Sequence, residues 1–206
     1  MTSTRPLLAL VTIEALWGFG MPAFELLTPA KLDQVLGSTT RAAQVLGPTQ
    51  TIGWLASAAG AALVPLICAR IGLAGAGAAM LGCQAVFILG IGLVAGGTGV
   101  LVAFVLTMTA HGGANSVHSG LLHRAVDGPG MRVSVVSVNS LCGLTGGTLG
   151  GLALAALADV HSLLIAILVG AAAIGAAAPL YLISTSPDSA HGRRTPTHSY
   201  SATDDR

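Results

Sequence analysis

Six apolar stretches, at about 6–28, 49–69, 73–95, 99–122, 133–158 and 162–184, each reach the length at which a helix crosses a lipid bilayer. A crossing takes about 20 apolar residues as helix, and in hydrocarbon the segment must satisfy its own backbone polar groups. A closed barrel meets that demand too, but its strands need only about 10 residues and alternate in polarity. These stretches are longer and do not alternate. Only 8% of the chain is Asp, Glu, Lys or Arg, against roughly 25% in a soluble domain. Residues 1–184 are therefore read as an all-α, polytopic membrane lobe of six transmembrane helices, with the lipid bilayer as its surroundings. The 28 glycines agree with this, because small residues let helix backbones approach closely in membranes.

Orientation follows from the loops. With the N-terminus inside, the cytoplasmic segments hold Arg5, Arg70, Arg124, Arg132, Arg193, Arg194 and Arg206, and the outer ones hold only Lys31 and Arg41. The positive-inside rule then puts both termini in the cytoplasm of a bacterial-type cell (plasma) membrane. One Arg near the N-terminus and Glu14 within the first apolar run argue against a cleaved signal peptide. Residues 185–206 turn to Ser, Thr, Pro, Asp, Arg and His, the composition of a disordered cytoplasmic tail. Cys68, Cys83 and Cys142 all fall inside spans and read as small buried hydrophobes. A net charge of +1 points to no class of partner, and no nucleic acid is expected.

Against this background an ionisable group inside a span is the strongest functional signal. A carboxylate at mid-depth costs about 2.5–3.5 kcal/mol on insertion scales, so it faces the bundle interior or a water-filled path. Glu14 is such a group, and at helical spacing it shares a face with Trp17 and Gly18. It is read as a proton-coupling or substrate-cation carboxylate, the alternative being a protonated Glu bonded to a neighbouring helix. Glu25, three turns on, reads as interfacial. In the fourth span His111, Asn115 and His118 fall at i, i+4 and i+7, on one face. Histidine suits proton relay, and the alternative is hydrogen bonding across helices. A metal site would need a third ligand that no spacing supplies.

The polar content of the spans runs in the order polar, intermediate, apolar, twice. The first and fourth spans carry the residues just named. The second holds Thr49, Gln50, Thr51 and Ser57, and the fifth holds Ser134, Ser137, Asn139, Ser140 and Thr145. The third has little beyond Gln84, and the sixth little beyond Ser162 and Tyr181 at its ends. This is the pattern of a 3+3 inverted repeat whose first helices line a path. In the fifth span Gly143, Gly147 and Gly151 recur every four residues, as do Gly146 and Gly150, a flat face for close helix contact.

Two stretches carry a resemblance. One is the short basic loop His123-Arg124-Ala125-Val126-Asp127-Gly128-Pro129-Gly130-Met131-Arg132 before a small-residue-rich helix. The other is Ala69-Arg70-Ile71-Gly72, similar to an Asp-Arg-x-Gly loop with its acidic position replaced by Ala69. With the six spans they resemble the C-terminal six-span half of a major facilitator superfamily transporter, over roughly residues 5–185. The resemblance implies secondary active, proton-coupled export of a small-molecule solute, with Glu14, Trp17, His111, Asn115 and His118 along the path. It also implies a second six-span half, or a homodimer, facing the second and fifth spans. Gly143, Gly147 and Gly151 are then the expected lobe interface, since that face has no evident partner within the chain.

No enzyme is expected. The only lysine, Lys31, lies in an outer loop, so there is no phosphate-binding glycine loop ending in Lys, and no cofactor is expected. A rhomboid-like protease could use Ser116 or Ser119 as nucleophile, but the sixth span offers no His as base. The remaining alternative is a truncated, non-transporting remnant or membrane scaffold.

Overall fold

The computed structural model describes residues 4–126 and 129–184. The expected tail at 185–206, with Arg193, Arg194 and Arg206, and Asp127-Gly128 of the basic loop lie outside the described residues. Among the described residues the chain is helical and contains no strand. Five runs are long and apolar enough to cross a membrane: Arg5–Leu36, Thr39–Leu93, Gly97–Arg124, Met131–Val160 and Leu163–Ile183.

The first run comprises α1 (Thr4–Gly20), α2 (Pro22–Glu25) and α3 (Leu27–Leu36). The breaks between them follow from proline. Pro22 and Pro29 have no N–H to give to the preceding turn, and at the first break the Met21 N–H bonds instead to the Trp17 and Gly18 carbonyls.

The second run is α4 (Thr39–Leu93), 55 residues with one non-helical position, Gly72, at φ 73° and ψ 171°. A straight helix of that length would reach about 80 Å, well beyond a hydrocarbon core of about 30 Å. Only glycine takes that backbone conformation without strain. The expected spans 49–69 and 73–95 thus meet at a single residue. Three more elements complete the main body: α5 (Gly97–Arg124), α6 (Pro129–Val160) and α7 (Leu163–Ala177), with a final turn, α8 (Leu180–Ile183).

The stretch from Pro29 to Pro48, read from its polarity as connecting segment, is almost entirely helical. α3 stops at Gly37, a left-handed cap at φ 63° whose N–H reaches the Asp33 carbonyl at 2.8 Å. One residue later the Ser38 hydroxyl accepts from the Arg41 N–H and opens α4, as an N-cap should. Lys31 Nζ donates to the Gly92 carbonyl at 2.8 Å, placing a cation on the orphan carbonyls at the end of α4.

Two glycine crossings hold the bundle. On one side α1 meets α6: a Cβ at Gly18 would strike the Gly143 backbone, one at Gly146 the Ala15 carbonyl, and one at Gly150 the Phe19 carbonyl. On the other side the first part of α4 meets α5: a Cβ at Gly60 would strike the Thr109 carbonyl, and one at Gly112 the Ser57 carbonyl. Glu14 faces Gly143 while Phe19 faces Gly150 in the first crossing, and Gly53 faces Phe104 while Gly60 faces Gly113 in the second, so each pair runs parallel. Elsewhere the order reverses. Gly20 packs against Ile174 while Gly170 packs against Ala23, and Gly77 packs against Tyr181 while Gly92 packs against Ile167.

One expectation is corrected here. The glycine face of α6 was read as having no partner in the chain, but it packs on α1. The tight contacts are made by Gly143, Gly146 and Gly150. Gly147 and Gly151 stand off, their nearest neighbours 3.7 Å from a would-be Cβ. The close approach follows the Gly143–Gly146–Gly150 edge because α1 presents its own small residues, Ala15 and Gly18, to that edge.

Apolar side chains form the interior, among them Leu10, Ile13, Leu81, Ile88, Ile167 and Ile174. Apolar side chains also cover much of the outside, most densely on α6 (Val133, Leu141, Leu144, Leu149, Leu152) and on the first part of α4 (Ile52, Leu55, Leu63, Leu66). That exterior belongs against hydrocarbon or another apolar helix, not water.

Candidate functional site

A cavity of about 560 Å³ opens between α1, α5 and α6. Glu14, Trp17, Met21 and Glu25 line it from the first run, His111 and Asn115 from α5, and Ser140, Gly143 and Gly147 from α6. Among the described residues neither Lys nor Arg lines it. The absence of side chains at Gly18, Gly143 and Gly147 leaves the room: a Cβ at Gly143 would come within 2.6 Å of Glu14 Oε1.

Behind Glu14 lies a buried polar chain. Glu14 Oε2 is 3.2 Å from His118 Nε2, the carboxylate side chain 23% exposed and the imidazole 3%. The same Nε2 is 3.2 Å from Asn139 Oδ1, and Nδ1 is 3.0 Å from the Tyr181 hydroxyl. With Glu14 ionised, both atoms facing Nε2 accept hydrogen bonds and Nε2 bears the proton. Nδ1 of a neutral ring then accepts from the Tyr181 hydroxyl, and in a charged ring it donates to the Tyr181 oxygen. In both arrangements each ring nitrogen of His118 keeps a hydrogen-bond partner. Glu14 is the only member of this chain of contacts that also lines the cavity.

Trp17 does not stand free in the cavity. Its ring is buried, Nε1–H donates to Gln84 Oε1 at 3.0 Å, and the Gln84 amide lies 3.9 Å from Met21 Sδ. The indole packs 5.2 Å from the His111 ring and 6.1 Å from the His118 ring, so it separates and orients the two histidines.

The residues singled out from sequence thus divide. Glu14, Trp17, His111 and Asn115 meet at the cavity, and His118 lies behind it, bound to Glu14. His111 and His118 both pack on Trp17 but share no hydrogen-bond partner among the described residues. Buried His111 Nδ1 has no hydrogen-bond partner among the described residues. Asn139, Tyr181 and Gln84 belong to the site although sequence gave them no role. Asn139 and Gln84 are polar residues within apolar spans, and Tyr181 carries the one hydroxyl-bearing ring inside a span. Among the described residues no group of three or more His, Cys, Asp or Glu is placed to hold a metal ion.

Glu25 and His111 also line a second cavity, of about 220 Å³, and so form part of the wall between the two. Comparison of the chain with protein-family models and with curated proteins found no match.

Proposed function

We propose that the protein is a six-span lobe of a secondary active transporter of the major facilitator type, coupling export of a small molecule to protons. The observation that carries this reading is the Glu14–His118 pair, a carboxylate facing the cavity and an imidazole sealed behind it. Intramembrane pairs of this kind mark proton relays, and the cavity volume lies in the range that holds small organic ligands.

The six crossings and the 3+3 inverted repeat belong to the proposal. The packing supports them. Gly72 lets the chain turn back, so residues 39–71 and 73–93 count as the second and third spans. Exchanging first with fourth, second with fifth and third with sixth then maps the contacts onto themselves. The parallel glycine crossing of α1 with α6 becomes that of α5 with the first part of α4. Such a correspondence is what an inverted repeat would produce, and it supports that reading.

Alternating access in such a fold is the rocking of two lobes about a site between them. The lobe therefore works with a second copy or a complementary six-span half. The apolar outer faces of α6 and of the first part of α4 are where that partner docks. Both termini are cytoplasmic in this reading.

The test is flux. The purified chain is reconstituted in liposomes under an imposed pH gradient, and uptake of labelled cationic, anionic and neutral organic solutes is measured against empty liposomes. Gradient-dependent uptake of at least one class supports the reading. No uptake of any class, at any protein-to-lipid ratio, contradicts it in favour of a non-transporting membrane scaffold.

A further inference from the structure

The chain has only four Phe and two Trp, yet Phe24, Phe104 and Trp54 all line the cavity of about 220 Å³, together with Glu25. Phe24 and Phe104 lie 6.2 Å apart, and Phe24 lies 6.0 Å from the His111 ring. Among the described residues neither Lys nor Arg lines this cavity, and none forms an ion pair with Glu25. An unpaired carboxylate beside several aromatic rings is the environment that holds an ammonium ion, since ring faces attract cations.

The two carboxylates have different surroundings. Glu14 is held by His118, whereas Glu25 lies on the wall shared by both cavities with no ion-pair partner among the described residues. His111 Nδ1, buried and without a hydrogen-bond partner among the described residues, belongs to the same wall.

We infer that the smaller cavity is a subsite for an organic ammonium ion, whose charge sits between Glu25 and the rings of Phe24, Phe104 and Trp54 while its remainder extends past His111 into the larger cavity. The inference deepens the transporter reading by naming its solute class: Glu25 selects the cation and Glu14 handles the proton.

The test is equilibrium dialysis of radiolabelled benzyltrimethylammonium against the full chain in lipid nanodiscs, with benzoate as the anionic comparison. Saturable binding of the cation and none of benzoate is expected. Glu25→Gln should weaken it about tenfold or more, Glu25→Asp should restore most of it, and Trp54→Leu should weaken it about threefold. Glu25 and Trp54 are both exposed, so these variants keep the fold, which circular dichroism checks. No saturable binding by the folded wild-type chain, or binding unchanged in Glu25→Gln, overturns the inference. Cation binding without flux leaves the subsite standing and removes the transport reading. Flux of other solutes without cation binding does the reverse.

Discussion

Glu14 and His118 lie on α1 and α5, 3.2 Å apart from carboxylate oxygen to ring nitrogen, and the far side of the imidazole is closed by the Tyr181 hydroxyl from α8 at 3.0 Å. Three elements distant in sequence therefore converge on one ring. Of these three side chains only the carboxylate lines the cavity.

Tyr181→Phe removes the hydroxyl and keeps the ring that packs on Gly77. His118 Nδ1 is then left buried without a partner, at a cost of about 1–3 kcal/mol. The expected result is a lower midpoint of thermal unfolding in detergent with retained insertion. An unchanged midpoint would show that the bond contributes nothing to the fold.

The glycine crossing makes a contrast between neighbours. Gly150→Ala puts a methyl group against the Phe19 carbonyl, whereas Gly147→Ala finds its nearest neighbour, the Gly18 carbonyl, at 3.7 Å. Gly150→Ala is expected to destabilise by about 1–3 kcal/mol, as overpacking does, and Gly147→Ala to be tolerated. Measured unfolding in mild detergent checks this, and equal effects at the two positions would count against the packing described.

Topology is checked with single cysteines in a background from which Cys68, Cys83 and Cys142 have been replaced. A membrane-impermeant maleimide applied to intact cells should label Ser38→Cys and Gly96→Cys and spare Arg70→Cys. If α4 crossed only once, positions 38 and 96 would lie on opposite sides and only one of them would be labelled.

The helices were legible in the sequence because hydropathy in 20-residue windows is a local property. What hydropathy could not show was where helix continues after apolarity ends. Lys31, Asp33, Gln34, Thr39, Arg41 and Gln44 end the apolar run but are compatible with helix, so α3 and the start of α4 extend beyond the expected spans. Gly72 falls between two of the expected apolar stretches, and only the structure shows that a residue with positive φ interrupts the helix there. At the site, the i, i+4, i+7 face of α5 was readable from spacing alone. The partners of His118 were not, because Asn139 and Tyr181 approach it from other helices and no local pattern encodes that approach. The glycine face of α6 was likewise visible, while its partner α1 was not, since a small-residue ridge does not specify what packs on it.

The most direct test of the account is proton movement by Glu14→Gln in liposomes, with an internal pH dye reporting protons and a labelled solute reporting flux. Gln keeps the side-chain length and a hydrogen-bonding oxygen for His118 but carries no exchangeable carboxyl proton. The account predicts that Glu14→Gln still exchanges labelled for unlabelled solute across the membrane, while solute-evoked proton movement falls about tenfold or more, as loss of an intramembrane relay group should produce. Proton movement at the wild-type ratio to solute in a folded Glu14→Gln variant would contradict it.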